Sequence, residues 1–539
     1  MSAPEVSALP SSVEIYDTTL RDGAQLEGIS LTADDKLRIA EQLDRLGVHY
    51  IEGGWPGSNP KDDEFFDRAR TELELVNSRL VAFGSTRRVK GKVDDDPTLE
   101  HLLSADTEVV CIVGKASEYH VTEALRTTHD EGVAMVADSI RFLKEHGRTV
   151  FFDAEHFFDG YRENPEFSMR VLEEAAIAGA DCLVLCDTNG GSLPGDVERS
   201  VRAITGHLDA PIGVHLHNDT GCGVANALAG VAAGATQVQG TINGYGERVG
   251  NCDLVPIIAN LSLKMGVKTL PEGHLDRLTS VAHHVAEIVN FTADPQQPYV
   301  GSKAFAHKAG LHTSAIARRR DAYEHVDPDS VGNGTRFLVS EMSGRSSIEL
   351  KAQQLGIEID DKVLGEVVET LKELEHQGYH FEAADASLEL LIRAAAGWTH
   401  DFFKVESFAV SVGHRSGSEA RAWNDVAVEV ETEATVKIWV GNNRRIATGE
   451  GNGPVNALDS ALREALGGSY PGLNRLHLTD FKVRVLESDR GTGAVTRVLL
   501  DTTDGEQTWT TIGVSANIIE ASWQALVDSI VYGLLHARA

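Results

Sequence analysis

The segment VEIYDTTLRDG, residues 13–23, joins a short apolar stretch directly to a run of charged and hydroxyl side chains. The apolar stretch predicts a buried strand, and polar residues at the carboxyl end of a strand are typical of functional sites in parallel α/β folds. A helix is expected next, because Thr32 supplies an N-cap oxygen and Gly47 ends the apolar periodicity that follows it. The segment therefore predicts a strand, a functional loop and a helix.

This unit recurs along the first half of the chain. Eight short apolar runs, each followed by helical periodicity, occur between residue 13 and about residue 266. The predicted strands are residues 13–21, 50–55, 80–84, 109–113, 149–153, 182–186, 212–217 and 237–242. Eight strand and helix pairs in about 250 residues are typical of a closed (β/α)8 TIM barrel. An open doubly wound sheet is the alternative fold.

The pattern of predicted strands and helices changes twice after the barrel region. Residues 276–397 read mostly as helices, with the clearest amphipathic stretch at 362–378, and predict a helical linker subdomain. Residues 398–539 alternate predicted strands and helices and form a third region. Residues 1–275, which precede both of these regions, are assigned to the catalytic barrel.

The last of these regions is predicted to be a separate, duplicated α/β domain. The two rounds of predicted strands and helices are residues 426–433, 435–440 and 455–466, then 483–486, 494–501, 507–512 and 518–536.

The charge balance excludes two classes of partner. Lys and Arg number 49 against 81 Asp and Glu, so 49 − 81 gives a net charge of −32 in 539 residues. Such a surface repels nucleic acid and anionic membranes. Five scattered cysteines do not form a disulfide framework, and the sequence shows no signal peptide and no membrane-spanning apolar run. A cytoplasmic protein is expected.

The polar residues at the strand ends predict a metal site. His215 and His217 alternate with Leu216 and must project to the same side of their strand. With Asp22 as a third ligand, two nitrogens and one oxygen leave positions open for substrate and water, as in catalytic sites. The alternatives are hydrogen-bonded core histidines and an ion pair of Asp22 with its neighbour Arg21.

Two cysteines and three basic residues have simpler interpretations. Cys182 and Cys186 flank an apolar run and are expected to be buried small side chains. Arg87, Arg88 and Lys90 could contact the phosphates of coenzyme A, although a solvated basic turn is the favoured interpretation.

The blocks DTTLRDGAQ (17–25) and HLHND (215–219) resemble the DRE-TIM metallolyases. Over essentially the whole chain the sequence is similar to their acyl-transferring members, the 2-isopropylmalate, homocitrate and citramalate synthases. The segments EGGWPGSNP (52–60), FGSTRR (83–88) and FDAEHFFDGY (152–161) resemble the citramalate synthase branch, as does LCDTNGG (185–191).

This resemblance implies a ligand set and a cofactor. The metal ligands of the family fall on Asp22, His215, His217 and Asn251. The ion would be a divalent cation, Mg²⁺, Mn²⁺ or Zn²⁺.

The resemblance also implies roles for the remaining site residues. Arg21 matches the arginine that contacts the keto oxygen of the substrate, Thr188 the threonine that binds its carboxylate, and Glu155 the glutamate near the acetyl group. His312 and Tyr323 match residues that reach into the partner subunit's barrel, which implies a homodimer.

The implied reaction is a Claisen condensation of acetyl-CoA with pyruvate to give citramalate for isoleucine biosynthesis. Glu155 and His312 are the candidate bases for the acetyl proton. A 2-isopropylmalate or homocitrate synthase, a retro-aldol lyase acting on hydroxymethylglutaryl-CoA, and an amino-acid sensor on an inactive barrel are the alternatives. The duplicated α/β unit at 398–539 resembles the leucine-binding regulatory domain of the isopropylmalate synthases, which implies a regulatory and dimerisation domain. Its helix openings at 453–457 and 514–521 are expected to bind isoleucine as an effector between two subunits.

Overall fold

A computed structural model describes residues 9–307, 312, 315–316, 318–337, 345–414, 430–486 and 493–536 of the chain. These residues fall into two compact units. The first consists of Met1–Phe305 with Glu324–Thr335, and the second of Ala306–Tyr323 with Arg336–Ala539.

The first unit is built on a closed barrel of eight parallel strands, in which β1 pairs with both β2 and β8. The strands are β1 (Glu14–Asp17), β2 (Tyr50–Gly54), β3 (Arg79–Ser85), β4 (Val109–Lys115), β5 (Thr149–Glu155), β6 (Cys182–Asp187), β7 (Ile212–Leu216) and β8 (Gln237–Gly240). The predicted TIM barrel is confirmed. The pairing of β1 with β8 excludes the open sheet, because an open sheet leaves its edge strands unpaired.

Helices surround the barrel, and the first of them begins after Thr32, as the sequence predicts. They are α1 (Ala33–Leu46), α2 (Pro60–Glu72), α3 (Pro97–Ser104), α4 (His129–Glu145), α5 (Phe157–Glu163), α6 (Pro165–Ile177), α7 (Pro194–Thr205), α8 (Gly223–Ala232), α9 (Leu254–Leu263) and α10 (Leu278–Ile288). Thr32 and Asp35 form a reciprocal capping box at the start of α1. Gly47 ends that helix with a φ of 95°, a left-handed conformation that glycine adopts without strain.

Apolar side chains fill two layers. Tyr16, Phe83 and Phe151 belong to the cluster inside the barrel, and a larger cluster lies between the strands and the helices. Helix α10 contributes Leu278 and Val281 to this outer layer. The first compact unit therefore extends past residue 275, and the domain boundaries at 275 and 397 stay predictions.

The second unit combines linker helices with two three-stranded antiparallel sheets. It contains the short strands β9 (Ala306–His307) and β10 (Arg336–Phe337), the helices α11 (Arg345–Gln354), α12 (Asp361–His376) and α13 (Asp385–Ala395), and two successive modules of three strands and a helix. The first module is β11 (Lys404–His414), β12 (Val430–Val440), β13 (Asn443–Gly451) and α14 (Pro454–Gly467). The second is β14 (His477–Val485), β15 (Thr496–Thr503), β16 (Thr508–Ser515) and α15 (Ile518–His536).

The predicted duplication is confirmed, with one correction. The separate strands expected at 426–433 and 435–440 form the single strand β12, which pairs with β11 and β13 along its length. Strands β11 and β13 were not predicted, although residues 408–412 of β11 alternate apolar with small or polar side chains, as is typical of a sheet with one exposed face. Residues 426–429 lie outside the described residues.

One described helix, α15, is long and apolar enough to cross a membrane by length and composition. Half of its most apolar window is buried inside the protein. Trp523, Leu526 and Ile530 of this helix belong to the apolar core of the second unit. These residues explain its apolar composition without a membrane.

The packing of the barrel helices gives a stability prediction. Ile39 of α1 is fully buried, whereas Ile177 of α6 is 73% exposed. We expect Ile39→Ala to destabilise the barrel by about 2–5 kcal/mol, because it removes buried methyl groups and leaves a cavity. The matched control Ile177→Ala should change stability by less than about 0.5 kcal/mol. Denaturant melts that gave equal shifts for both variants would contradict this packing.

Candidate metal centre at the barrel mouth

Three side chains meet at the carboxyl ends of the first and seventh strands. Asp22 lies in the loop after β1, His215 is in β7, and His217 follows β7 directly. The Nε2 atom of His215 lies 3.4 Å, and that of His217 3.9 Å, from the same Asp22 oxygen, Oδ2. The two Nε2 atoms are 3.3 Å apart. All three side chains are buried, so the arrangement matches the predicted ligand cluster.

The chemistry of this cluster fits a divalent cation. Two imidazole nitrogens and a carboxylate oxygen that face each other at these distances are a ligand set that a divalent cation can join. The second oxygen of Asp22, Oδ1, is buried and accepts no hydrogen bond from any residue that the structure describes. Asn251, which forms an isolated bridge with His217, also has a buried amide oxygen without a partner among the described residues. These oxygens supply further ligand atoms for an ion, as expected for a site with open positions.

A chain of buried side chains orients His215. Its Nδ1 atom lies 2.9 Å from Oε1 of Gln239, and Nε2 of Gln239 donates to Asp153 over 3.0 Å. Because the NH2 group of Gln239 donates to Asp153, Oε1 is the atom that faces His215, and it accepts a hydrogen bond from Nδ1–H of that histidine. This tautomer leaves the lone pair of Nε2 directed at the cluster, which is the form that binds a metal.

The charges of the cluster shift the protonation of its members. Burial opposes ionisation of Asp22, but the charge of Arg21 and the contacts with the two histidines hold its pKa well below the ordinary range. Burial and the neighbouring His215 lower the pKa of His217 to about 4. Burial alone would lower the pKa of His215, yet the hydrogen bond and charge of Asp22 raise it overall. The carboxylate is therefore ionised and His217 is neutral near pH 7, as metal ligation requires.

Arg21 is fixed beside the cluster by a buried glutamate. Its Nε atom donates to Glu52 over 2.6 Å, and its Nη1 atom donates to Asp22 over 3.2 Å. Glu52 also accepts from the hydroxyls of Tyr16 and Thr18. The guanidinium lies 3.8 Å from the centre of the Phe83 ring. Arg21 is thus more than an ion-pair partner of Asp22, because Glu52 and the Phe83 ring also hold it at the mouth.

Glu155 and Thr188 lie at the ends of the neighbouring strands. Glu155 forms an ion pair with Lys115 at the end of β4. The hydroxyl of Thr188 accepts a hydrogen bond of 2.9 Å from the backbone N–H of His156. His156 has a positive φ of 57° and stacks on His120, with ring centres 3.7 Å apart. This part of the mouth is therefore rigidly hydrogen-bonded.

Arg248 ties the loops after three strands together. It donates to both carboxylate oxygens of Asp219 and, over 2.9 Å, to the backbone carbonyl of Thr188. Its Nη2 atom also lies 3.3 Å from Nδ1 of His217. Arg248 therefore contacts the Nδ1 side of His217, one of the candidate metal ligands.

The structure also describes two further predicted site residues, His312 and Tyr323. His312 and Tyr323 belong to the second compact unit, where their rings stack with centres 4.0 Å apart. Residues 309–311 of the same motif lie outside the described residues. The roles of His312 and Tyr323 at an active site stay predictions.

Arg87 is not available for coenzyme A phosphates. It is buried and pairs with Glu131 at 2.7 Å and Asp138 at 2.9 Å. Arg88 and Lys90 are exposed, so only these two fit the predicted basic turn. Cys182 and Cys186 are buried free thiols, as predicted.

Sequence reasoning assigned no role to several residues that support the centre. Glu52, Gln239, Asp153, Lys115 and Arg248 hold the candidate site residues. A usable signal was present for Glu52, Gln239 and Asp153, because a charged or amide side chain in an otherwise apolar strand is unusual. The partners of these residues come from other strands, so the contacts themselves required the fold.

Family models cover most of the chain. Residues 12–285 match the model described as HMGL-like, residues 299–379 the homocitrate synthase post-HMGL domain-like model, and residues 382–534 the LeuA allosteric (dimerisation) domain. The order of the three models agrees with the predicted order of barrel, linker and regulatory domain.

Full-length relatives narrow the family. The chain is 54% identical to an (R)-citramalate synthase of Streptomyces coelicolor and 48% identical to one of Aquifex aeolicus, with 98% of each chain covered in both comparisons. It is 31% identical to a probable 2-isopropylmalate synthase of Methanopyrus kandleri, over 97% of this chain and 98% of the relative. The chain belongs to the HMGL-like family of the DRE-TIM superfamily, in the group that contains the (R)-citramalate synthases.

Proposed function

We propose that this protein is an (R)-citramalate synthase, which condenses acetyl-CoA with pyruvate and releases citramalate and coenzyme A. The observation that carries this conclusion is the buried Asp22, His215 and His217 cluster in a chain 54% identical, over its full length, to an (R)-citramalate synthase. Isoleucine biosynthesis is the pathway we propose for the product.

Arg21 and Thr188 position the oxo acid in this proposal. The fixed guanidinium of Arg21 stabilises the negative charge that develops on the keto oxygen when its carbon is attacked. The hydroxyl of Thr188 donates to the substrate carboxylate. A divalent cation held by Asp22, His215, His217 and Asn251 supplies Lewis acidity at the same oxygens when bound. Mg²⁺ and Mn²⁺ suit the oxygen ligands, and Zn²⁺ suits the two imidazoles.

The acetyl group must lose a proton before it can attack. We propose Glu155 or His312 as the base, acting on the methyl group of the thioester. The new bond joins this carbon to the keto carbon of pyruvate, and water then cleaves the thioester to give a carboxylate and the thiol of coenzyme A. Lys115 pairs with Glu155 and holds its carboxylate at the end of β5.

The proposed assembly is a cytoplasmic homodimer. The LeuA dimerisation and allosteric model over residues 382–534 supports an oligomer that responds to a regulator. In this proposal, His312 and Tyr323 of one subunit complete the barrel of the other.

Substrate preference tests the proposed function. We expect kcat/KM for pyruvate to exceed that for 2-oxoisovalerate and 2-oxoglutarate by at least about tenfold, because a pocket shaped for a methyl group rejects larger substituents. Release of free thiol from acetyl-CoA measures all three reactions. A preference for 2-oxoisovalerate would assign the chain to the 2-isopropylmalate synthases instead.

Two variants test whether the candidate metal ligands are needed for this reaction. Asp22→Asn and His215→Ala should each abolish thiol release and weaken binding of Mn²⁺ in calorimetry, since each removes a candidate ligand. His207→Ala is the matched control, because His207 is an exposed histidine paired with Glu173 on the outside of the barrel. Full turnover in the Asp22 and His215 variants would refute the proposed centre.

The hydrogen bond between His215 and Gln239 gives a separate prediction. Gln239→Leu removes the acceptor of Nδ1–H and should weaken Mn²⁺ binding by about 10–100-fold, the usual effect of removing a partner of a metal-bound histidine. Gln239→Glu keeps an acceptor for Nδ1–H and should lose less affinity. Calorimetric titration of the metal measures this effect independently of turnover. Equal Mn²⁺ affinities for the wild type and Gln239→Leu would show that this hydrogen bond does not orient His215.

The regulatory domain gives a prediction about effectors. We propose that the paired helix openings at 453–457 and 514–521 bind isoleucine between two subunits, because helix N-termini attract carboxylates. Calorimetry with isoleucine, leucine and valine should detect binding, strongest for isoleucine. Heat changes absent for all three amino acids would remove this proposal.

A further inference from the structure

Two histidine rings lie against each other at the barrel mouth, beside the candidate site. His120 and His156 stack with ring centres 3.7 Å apart and ring planes inclined by 9°. His120 begins a π-helical turn, His120–Ala124, in the segment after β4, and His156 follows β5 directly. Turns of this kind are rare and occur often at functional sites. The stack therefore joins the segments that follow two neighbouring strands.

Stacking is the contact that holds these two rings. Nδ1 of each ring is buried and has no hydrogen-bond partner among the residues that the structure describes. Burial lowers the pKa of both histidines, and the neighbouring His120 lowers that of His156 further. Both rings are thus neutral near pH 7, so no repulsion between like charges opposes the stack.

The backbone of His156 has a conformation that residues with a Cβ rarely adopt. Its φ of 57° and ψ of 30° lie in the left-handed region. Such a residue keeps this conformation only where its surroundings hold it. The segment after β4 packs closely on α5, because a Cβ at Gly160 would lie 2.7 Å from the carbonyl oxygen of Ala116. The ring of His120 is therefore fixed against that of His156.

The left-handed conformation directs the backbone N–H of His156 at Thr188. The N–H donates to Oγ1 of Thr188 over 2.9 Å, and the backbone carbonyl of Thr188 accepts from Arg248 over 2.9 Å. A hydroxyl has one hydrogen and two lone pairs. Because one lone pair of Oγ1 faces His156, the hydroxyl hydrogen must point away from it.

This hydrogen is available to a ligand in the mouth. Thr188 is partly exposed, and none of the described residues accepts a hydrogen bond from its hydroxyl. The N–H of His156 therefore turns the hydroxyl of Thr188 into an oriented donor.

We propose that His120 and His156 are positioning residues, whose stack holds the His156 N–H where it orients the hydroxyl of Thr188 toward the carboxylate of the oxo acid. This inference rests on the proposed function, in which Thr188 donates to that carboxylate. The carboxylate keeps this contact before and during the reaction, so loss of the stack should weaken substrate binding and leave the chemical step unchanged.

Variants of His120 test the stack. His120→Ala should raise KM for pyruvate at least about fivefold and leave kcat within about twofold, because His156 is then free to leave the left-handed region. His120→Phe keeps a flat ring and should retain the wild-type KM within about twofold. His146→Ala is the matched control, because His146 is an exposed histidine whose ring contacts Phe142 of α4.

A pair of variants at His156 tests the backbone conformation. His156→Gly and His156→Ala both lose the ring and differ only in the Cβ atom. Glycine adopts a positive φ without strain, so KM for pyruvate should be at least about threefold lower in His156→Gly than in His156→Ala. This difference should disappear when Thr188→Val, which lacks the hydroxyl, is added to both variants.

Two measurements on the full-length protein separate binding from turnover. Release of free thiol from acetyl-CoA gives KM and kcat, and calorimetric titration of pyruvate in the presence of Mn²⁺ gives its affinity without acetyl-CoA. The affinities should follow the order of the KM values. Circular dichroism melts show that each variant is folded at the assay temperature.

The outcomes are distinct. Equal KM values for the wild type, His120→Ala and His156→Ala would overturn the inference, as would a difference between the His156 variants that persists with Thr188→Val. Loss of turnover in His120→Phe would also overturn it, because the imidazole would then act chemically. A wild-type protein that released thiol only with another of the three oxo acids would contradict the proposed function alone, since the same comparison of variants then applies to the carboxylate of that oxo acid.

Discussion

Closure of the barrel between β1 and β8 is the constraint on which the centre depends. The register of Glu14–Asp17 against Gln237–Gly240 brings the loop that follows β1 beside the ends of β7 and β8. Asp22 thereby meets two histidines that lie almost two hundred positions later in the chain. An open sheet would separate these strands, and the three ligand atoms could not share one ion.

The barrel also stabilises charges that would be unfavourable elsewhere. Asp22, Arg21 and Glu52 are all largely removed from water, but each has a charged or hydrogen-bonding partner at a fixed distance. A network of this kind contributes little to stability compared with apolar packing. Its benefit is electrostatic, since groups that are already oriented need no rearrangement when charge develops on a substrate.

The second unit contains one structural module, a three-stranded sheet with a helix, that occurs twice. Two three-stranded sheets each pair with one helix, and most of the apolar core lies between those elements. The linker helices α12 and α13 belong to the same compact unit as these modules.

Sequence periodicity determined the eight barrel strands, the capped helix α1 and the duplicated C-terminal modules, because alternation and capping depend on neighbours in the chain. His215 and His217 were identified for the same reason, since side-chain alternation along one strand is a local property. The division of β12 was wrong, because continuity of a strand depends on the strands beside it. The tertiary structure alone decided that Gln239 and Asp153 orient His215 and that Arg87 pairs internally. Each of these is a contact between distant segments, and no local pattern specifies which segments the fold brings together.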